Sequence, residues 1–102
     1  MRSIYHVVPR RSWDEASADP DHPALLDTEG FVHCSYREQL SEVVRRHFVG
    51  RDDLLVLEID PTRLDVPLRE EPSAWGDAFP HIYGPIPRAA IVNVKPWPMA
   101  DW

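Results

Sequence analysis

Residues able to do chemistry cluster in a few short stretches of this chain. In Gly30-Phe31-Val32-His33-Cys34-Ser35 an aromatic ring, an imidazole and a hydroxyl occupy alternate positions. On a strand, Phe31, His33 and Ser35 would share one face while Val32 and Cys34 share the other. Phe79, His81 and Tyr83 lie together later in the chain, and Glu71 opens the segment that leads to them. His6 stands on an otherwise apolar run, Ile4-Tyr5-His6-Val7-Val8. An imidazole with an ordinary pKa of about 6.5 is mostly neutral at neutral pH. Converging histidines therefore suit donation to, and acceptance from, sugar or phosphate oxygens, while Phe79 and Tyr83 could stack on a flat base. His22 and His47 read as structural or exposed. His6, His33, His81 and Glu71 would make a conceivable metal set, but His-x-His, His-Glu-x-x-His and Cys-x-x-Cys spacings are all missing, so no metal is expected.

Each residue also has a plainer reading. Ser35 with Glu38 forms a capping-box pattern that by itself accounts for the serine, and Ser35 lacks the Gly-x-Ser-x-Gly setting of a strained nucleophile. Glu71, beside Glu70 and before Pro72, has the composition of a solvated acid. His6 would equally serve as a core histidine satisfied by one backbone carbonyl. Cys34 points away from His33 on a regular strand, which argues against a Cys–His pair and for a small buried side chain. Phe79 and Tyr83 could simply close the core.

The elements that must hold these residues follow from periodicity. Ile4–Val8 reads as a strand ended by Pro9, with His6 on the face of Ile4 and Val8. A short helix begins at Trp13 behind a Ser12 cap, with Trp13 and Ala16 buried. Residues 24–29 form a loop. After the strand Gly30–Ser35, a helix runs from about Tyr36 to Val49, with Leu40, Val43, Val44, His47 and Phe48 on one stripe and Gly50 as its C-cap. Leu54–Ile59 is apolar on both faces except at Glu58, the pattern of a central strand. Thr62–Leu64 makes one helical turn. Val66–Glu70, carrying Pro67, is a short edge strand. Glu71–Pro87 is the least regular stretch, and Ala89–Lys95 is the last strand, with Ala90, Val92 and Val94 on one face. The order β-α-β-α-β-β-β indicates an α+β domain spanning residues 1–102, with the later strands antiparallel.

Composition bounds the class. The 102 residues are 43% hydrophobic and 27% charged, with a net charge of −6. That balance argues against general affinity for nucleic acid or an anionic membrane. The single cysteine excludes an intrachain disulfide and fits a reducing compartment. No apolar run is long enough to span a bilayer, so a cytoplasmic location is expected. The 11 prolines punctuate loops.

Four stretches, Ile4-Tyr5-His6-Val7-Val8-Pro9, Glu29-Gly30-Phe31-Val32-His33-Cys34-Ser35, Leu57-Glu58-Ile59-Asp60 and Phe79-Pro80-His81-Ile82-Tyr83-Gly84-Pro85, together resemble the domain-of-unknown-function 952 (DUF952) family of small bacterial proteins. That resemblance implies a compact ADP-ribosyltransferase-like fold, with two small, mostly antiparallel sheets and two main helices. Its better-known members hold NAD in a cleft between the sheets. By position, His6 would hold the ribose and adenosine side, Ser35 or Tyr83 would support the nicotinamide ribose, and Glu71 would engage the ribose at the reacting carbon. The Glu-x-Glu loop of some toxin members has no counterpart here. Cleavage of an N-glycosidic bond passes through a cationic, oxocarbenium-like sugar, which a carboxylate stabilises.

The resemblance thus implies binding of NAD or an ADP-ribose-like ligand in a histidine-lined cleft. ADP-ribosyl transfer or N-glycosidic cleavage is the associated chemistry. The catalytic candidates are Glu71, His6 and His33. The binding candidates are His6, Phe31, His33, Ser35, Phe79, His81 and Tyr83. A non-catalytic module for another small ligand needs the histidines but not Glu71. A partner-binding protein would instead use Trp75, Trp97 and Trp102 as an exposed interface. The sequence does not set an oligomeric state.

Overall fold

A computed structural model describes residues 2–17, 31–74 and 76–98. Six strands form two three-stranded antiparallel sheets. The first sheet contains β1 (Ile4–Pro9), β3 (Leu54–Ile59) and β6 (Ile91–Pro96), with β3 in the middle. The second contains β2 (Val32–His33), β5 (Ala78–Ile82) and β4 (Leu68–Pro72), with β5 in the middle. Two helices, α1 (Arg10–Ser17) and α2 (Leu40–His47), and three 3-10 turns complete the described elements. The α+β class is the one that the element order indicates, and the two small antiparallel sheets and two helices are those that the family resemblance implies.

The first sheet is covered on both faces, which is why β3 is apolar throughout. Tyr5, Val7, Leu54 and Val56 form one core with Leu40, Val44 and Phe48 of the α2 region and with Trp97. On the other face the cover is split. Val8, Leu55 and Leu57 meet Trp13 of α1, whereas Ile4 and Ile59 join Val32, Cys34, Ile82, Ile86 and Ala90 in a core shared with the second sheet. His6 lies between these two patches, in register with Leu57. Glu58, the exception in the apolar run, accepts from Ser3 Oγ at 2.7 Å.

Several local expectations need correction. The stretch from Glu71 to Pro87 is largely regular: β4 continues to Pro72 and β5 pairs with it, Glu71 opposite Phe79 and Arg69 opposite His81. Alternation was hidden there by Pro72 and Pro80. Pro80, almost fully buried, sits on the inner face and leaves the pairing intact. β4 is nonetheless an edge strand, as Pro67 implied, and the Tyr83 N–H donates to the Pro67 carbonyl at 2.8 Å. The last strand starts at Ile91, and Val92 and Val94 are 44% and 37% exposed rather than facing the core with Ala90. A register shift at Glu58/Ile59 breaks the simple alternation. The first helix begins at Arg10, before the Ser12 expected to cap it. The side chain of Ala16, all of residues 24–29 and His22 lie outside the described residues. The second helix is entered through a 3-10 turn, Arg37–Gln39, capped by Tyr36, whose N–H donates to Gln39 Oε1 at 2.9 Å. The Ser35–Glu38 capping box is therefore displaced by one residue. The cap residue at the other end is Phe48, and Gly50 follows with φ +78°.

Gly84, where the chain leaves β5, has φ +150°, and a Cβ there would approach Val66 Cγ1 to 2.7 Å. Glycine is thus required both by the backbone and by the close packing of the following turn.

Candidate functional site

The second sheet has an inner and an outer face. Val32 and Ile82, paired in register, are 1% and 0% exposed and look into the shared core. Strand alternation then sends the neighbouring residues outward. His33 is in register with His81, and His81 with Arg69. Phe31, His33, His81 and Tyr83 form one ring cluster on this outer face. The Phe31 ring lies 4.7 Å from His33, 4.9 Å from His81 and 5.2 Å from Tyr83, on which it stacks. The two imidazoles meet edge to face at 4.9 Å.

Glu71 is tied into this cluster. The Tyr83 hydroxyl and His81 Nδ1–H both donate to its Oε1, the latter at 2.8 Å. The His81 bond places that ring's proton on Nδ1. Oε2 receives no hydrogen bond among the described residues. Donation first from Tyr83 and then from His81, aided by the charge of Arg69, holds the Glu71 carboxyl below the usual carboxylate range. The same bond to Glu71 pushes the Tyr83 phenol up. Glu70, its sequence neighbour, takes the opposite face and accepts from the Tyr36 hydroxyl. Adjacent acids on one strand are thereby separated into two environments.

This yields a prediction. An NMR titration should place the Glu71 midpoint below the ordinary value of about 4.3, and Tyr83→Phe should move it back up. A midpoint unmoved by Tyr83→Phe would contradict the hydrogen bond as the main cause. Because the folded pKa is depressed, the carboxylate's contribution to stability is complete above the unfolded pKa. It disappears as pH falls through the folded value.

His6 joins the site from the first sheet. Its Nδ1–H donates to the His33 carbonyl at 2.6 Å, bridging the sheets and fixing the tautomer. The plainer reading of His6 is met in that one ring nitrogen satisfies a backbone carbonyl, and the side chain is half-buried.

Two expected residues are not exposed on the ring face. Ser35 is 5% exposed and its backbone exchanges hydrogen bonds with Tyr5, at 2.7 and 2.8 Å. The strand holding His33 is only two residues long and crosses at once to the edge of the first sheet, so Ser35 is set in the seam. Phe79 is 7% exposed. By strand parity it shares the outer face with His81, opposite Glu71, but its burial leaves little of it open to a ligand. Cys34 is buried, and desolvation pushes its thiol far up, which keeps it neutral. His47 is exposed at the end of α2. Trp97 is half-buried in the core against α2, and Trp75 and Trp102 lie outside the described residues.

Arg69 was missed from the sequence. Its guanidinium lies 5.3 Å from the Tyr83 ring centroid. Extending the strand alternation from Arg69 to Glu71 would have found it. No group of three or more metal-ligating side chains occurs among the described residues.

An open cavity of about 400 Å³ lies elsewhere, with Arg2, Tyr36, Glu38, Glu70 and Asp77 in its wall. Within it the Arg2 guanidinium sits 3.7 Å from the Tyr36 ring centroid and pairs with Glu38 at 2.7 Å. None of the described histidines lines it.

A family model described as a protein of unknown function, DUF952, matches residues 7–94. The crystal structure of protein CC0527 from Caulobacter crescentus is 27% identical, with a TM-score of 0.81 over 97% of this chain and 89% of that one. The solution NMR structure of CC0527 is 31% identical, with a TM-score of 0.75 over 94% of this chain and 84% of that one. The sequence matches no curated protein. No helix among the described residues is long and apolar enough to cross a membrane.

Proposed function

The chain belongs to the DUF952 family, and on that premise we propose that it binds NAD or an ADP-ribose-like ligand over the outer face of the second sheet. The reading places its two sheets within the ADP-ribosyltransferase-like fold. The observation that carries it is the joining of a stacked ring cluster to a carboxylate with one oxygen to spare. Phe31, His33, His81 and Tyr83 offer π-faces to a flat base. Glu71 Oε1 is consumed by Tyr83 and His81, so those bonds orient the carboxylate and leave Oε2 for a sugar.

The chemistry that suits this arrangement is cleavage of the nicotinamide–ribose bond. Nicotinamide leaves with the electron pair of that bond, water or another acceptor supplies the new bond to the sugar carbon, and the acceptor's proton is released. Positive charge grows on the ribose in the transition state, and an ionised Glu71 stabilises it. His6 is a positioning residue: it acts through the His33 backbone. A non-catalytic module for the same kind of ligand has support of its own, because the engagement of Glu71 by two donors also suits a purely structural carboxylate.

Thermal unfolding with NAD, ADP-ribose and nicotinamide at millimolar concentration tests the binding. A ligand present at about 100 times its Kd stabilises by about 2.7 kcal/mol, a clear rise in Tm. Phe31→Ala should abolish the rise. The reading fails if none of the three compounds moves Tm.

A further inference from the structure

The outer face carries one group that neither the stacking nor the carboxylate explains. Arg69 lies opposite His81 on β4, two residues before Glu71, and its guanidinium reaches over the Tyr83 ring at 5.3 Å. Among the described residues that build this face, it alone bears a fixed positive charge, in a chain of net charge −6. Its charge helps keep Glu71 ionised, but the hydrogen bonds of that carboxylate come from Tyr83 and His81 and none from Arg69. Two same-face positions on a strand are separated by about 7 Å, the scale of a single sugar. A carboxylate at one end of such a span suits ribose hydroxyls. A guanidinium at the other suits a phosphate attached to that sugar, since its planar fork matches phosphate oxygens.

We infer that Arg69 is the specificity-determining residue that reads a phosphate on the bound sugar, so that the face selects nucleotides over nucleosides. This rests on the nucleotide-binding reading above. An acidic chain repels an anionic ligand at long range, and a local cation beside the rings is what allows the phosphate to approach. Stacking alone would take adenosine as readily as its phosphorylated forms, because every base offers a π-face.

Calorimetric titration with two probes, ADP-ribose and adenosine, tests the assignment. The unmodified protein should bind ADP-ribose more tightly than adenosine. Arg69→Gln should weaken ADP-ribose by about tenfold to a hundredfold, the loss expected for a charge-assisted bond, and leave adenosine unchanged. Arg69→Lys should recover part of the loss, since it restores charge without the fork. Circular dichroism on each variant establishes that the sheet persists, and at this exposed edge position it should. Unchanged ADP-ribose affinity in Arg69→Gln, or an equal loss for both probes, overturns the role of Arg69 while leaving the binding face intact. Failure of the unmodified protein to bind either probe overturns the nucleotide reading and the inference with it.

Discussion

Ile82→Ala should lower the unfolding free energy by about 2–5 kcal/mol, the range for removing an aliphatic side chain from a packed core. The side chain is fully buried and stands where the two sheets meet, among Ile4, Val32, Ile59 and Ile86. No water can replace the lost contacts in so apolar a setting, and the central strands on both sides limit collapse. In a domain of this length each kcal/mol corresponds to roughly 4–8 °C in Tm, so a fall of about 8–40 °C is expected. Ile82→Val should cost only about 0.5–1.5 kcal/mol. Val92→Ala, on an exposed position of β6, should stay within about 0.5 kcal/mol of the parent. Denaturant titrations of the three variants check the order. If Ile82→Ala cost no more than Val92→Ala, the two sheets would not share a cooperative core. Because Ile82 lies between His81 and Tyr83, the same variant should loosen the ring cluster on the other face of the strand.

How much of this was legible beforehand depended on whether local chemistry and long-range pairing agreed. β1 and β3 were readable because apolar residues on both faces leave little choice but a covered sheet. Edge placement of β4 followed from Pro67, since a proline upstream cannot donate to a ladder. By contrast, β5 was lost because Pro80 and the glycines around it have the composition of a loop, and only pairing with β4 and β2 makes it a strand. Val92 and Val94 misled for the converse reason. Alternation marks two faces but does not say which is covered, and nothing described packs over them enough to bury them.

The site divides along the same line. Phe31 and His33 share a face by strand parity alone, and the ring contacts follow from it. Their meeting with His81 and Tyr83 is a property of sheet order, which one sequence does not encode in any local spacing. Ser35 has the right parity but the wrong position, because β2 ends at His33 and the chain turns to bridge Tyr5. Sequence composition puts Glu71 at the start of a loop. Its role as an oriented carboxylate depends on His81 and Tyr83, 10 and 12 residues later. Side-chain bonds over that separation appear only once the hairpin register is known.

That register makes Glu71→Gln the sharpest test of the chemistry. The substitution keeps an acceptor oxygen for Tyr83 and His81, exchanges the oxygen facing the sugar for an NH2 donor and removes the negative charge. Ground-state binding of ADP-ribose should therefore weaken only by one sugar contact, whereas stabilisation of a cationic sugar exists only as the glycosidic bond breaks. On the proposed reading, nicotinamide release from NAD should fall by roughly 10²–10³-fold, the loss typical of one preorganised electrostatic group. Tyr83→Phe should fall between the two, since the charge remains while its orientation by the phenol is lost. Nicotinamide release measured by chromatography, beside ADP-ribose affinity measured separately, distinguishes the cases. Parent-like turnover in Glu71→Gln removes the carboxylate from the reaction. A parent protein that binds ADP-ribose yet releases no nicotinamide belongs to the non-catalytic reading, with Glu71 serving only to lock Tyr83 and His81 beneath the ligand.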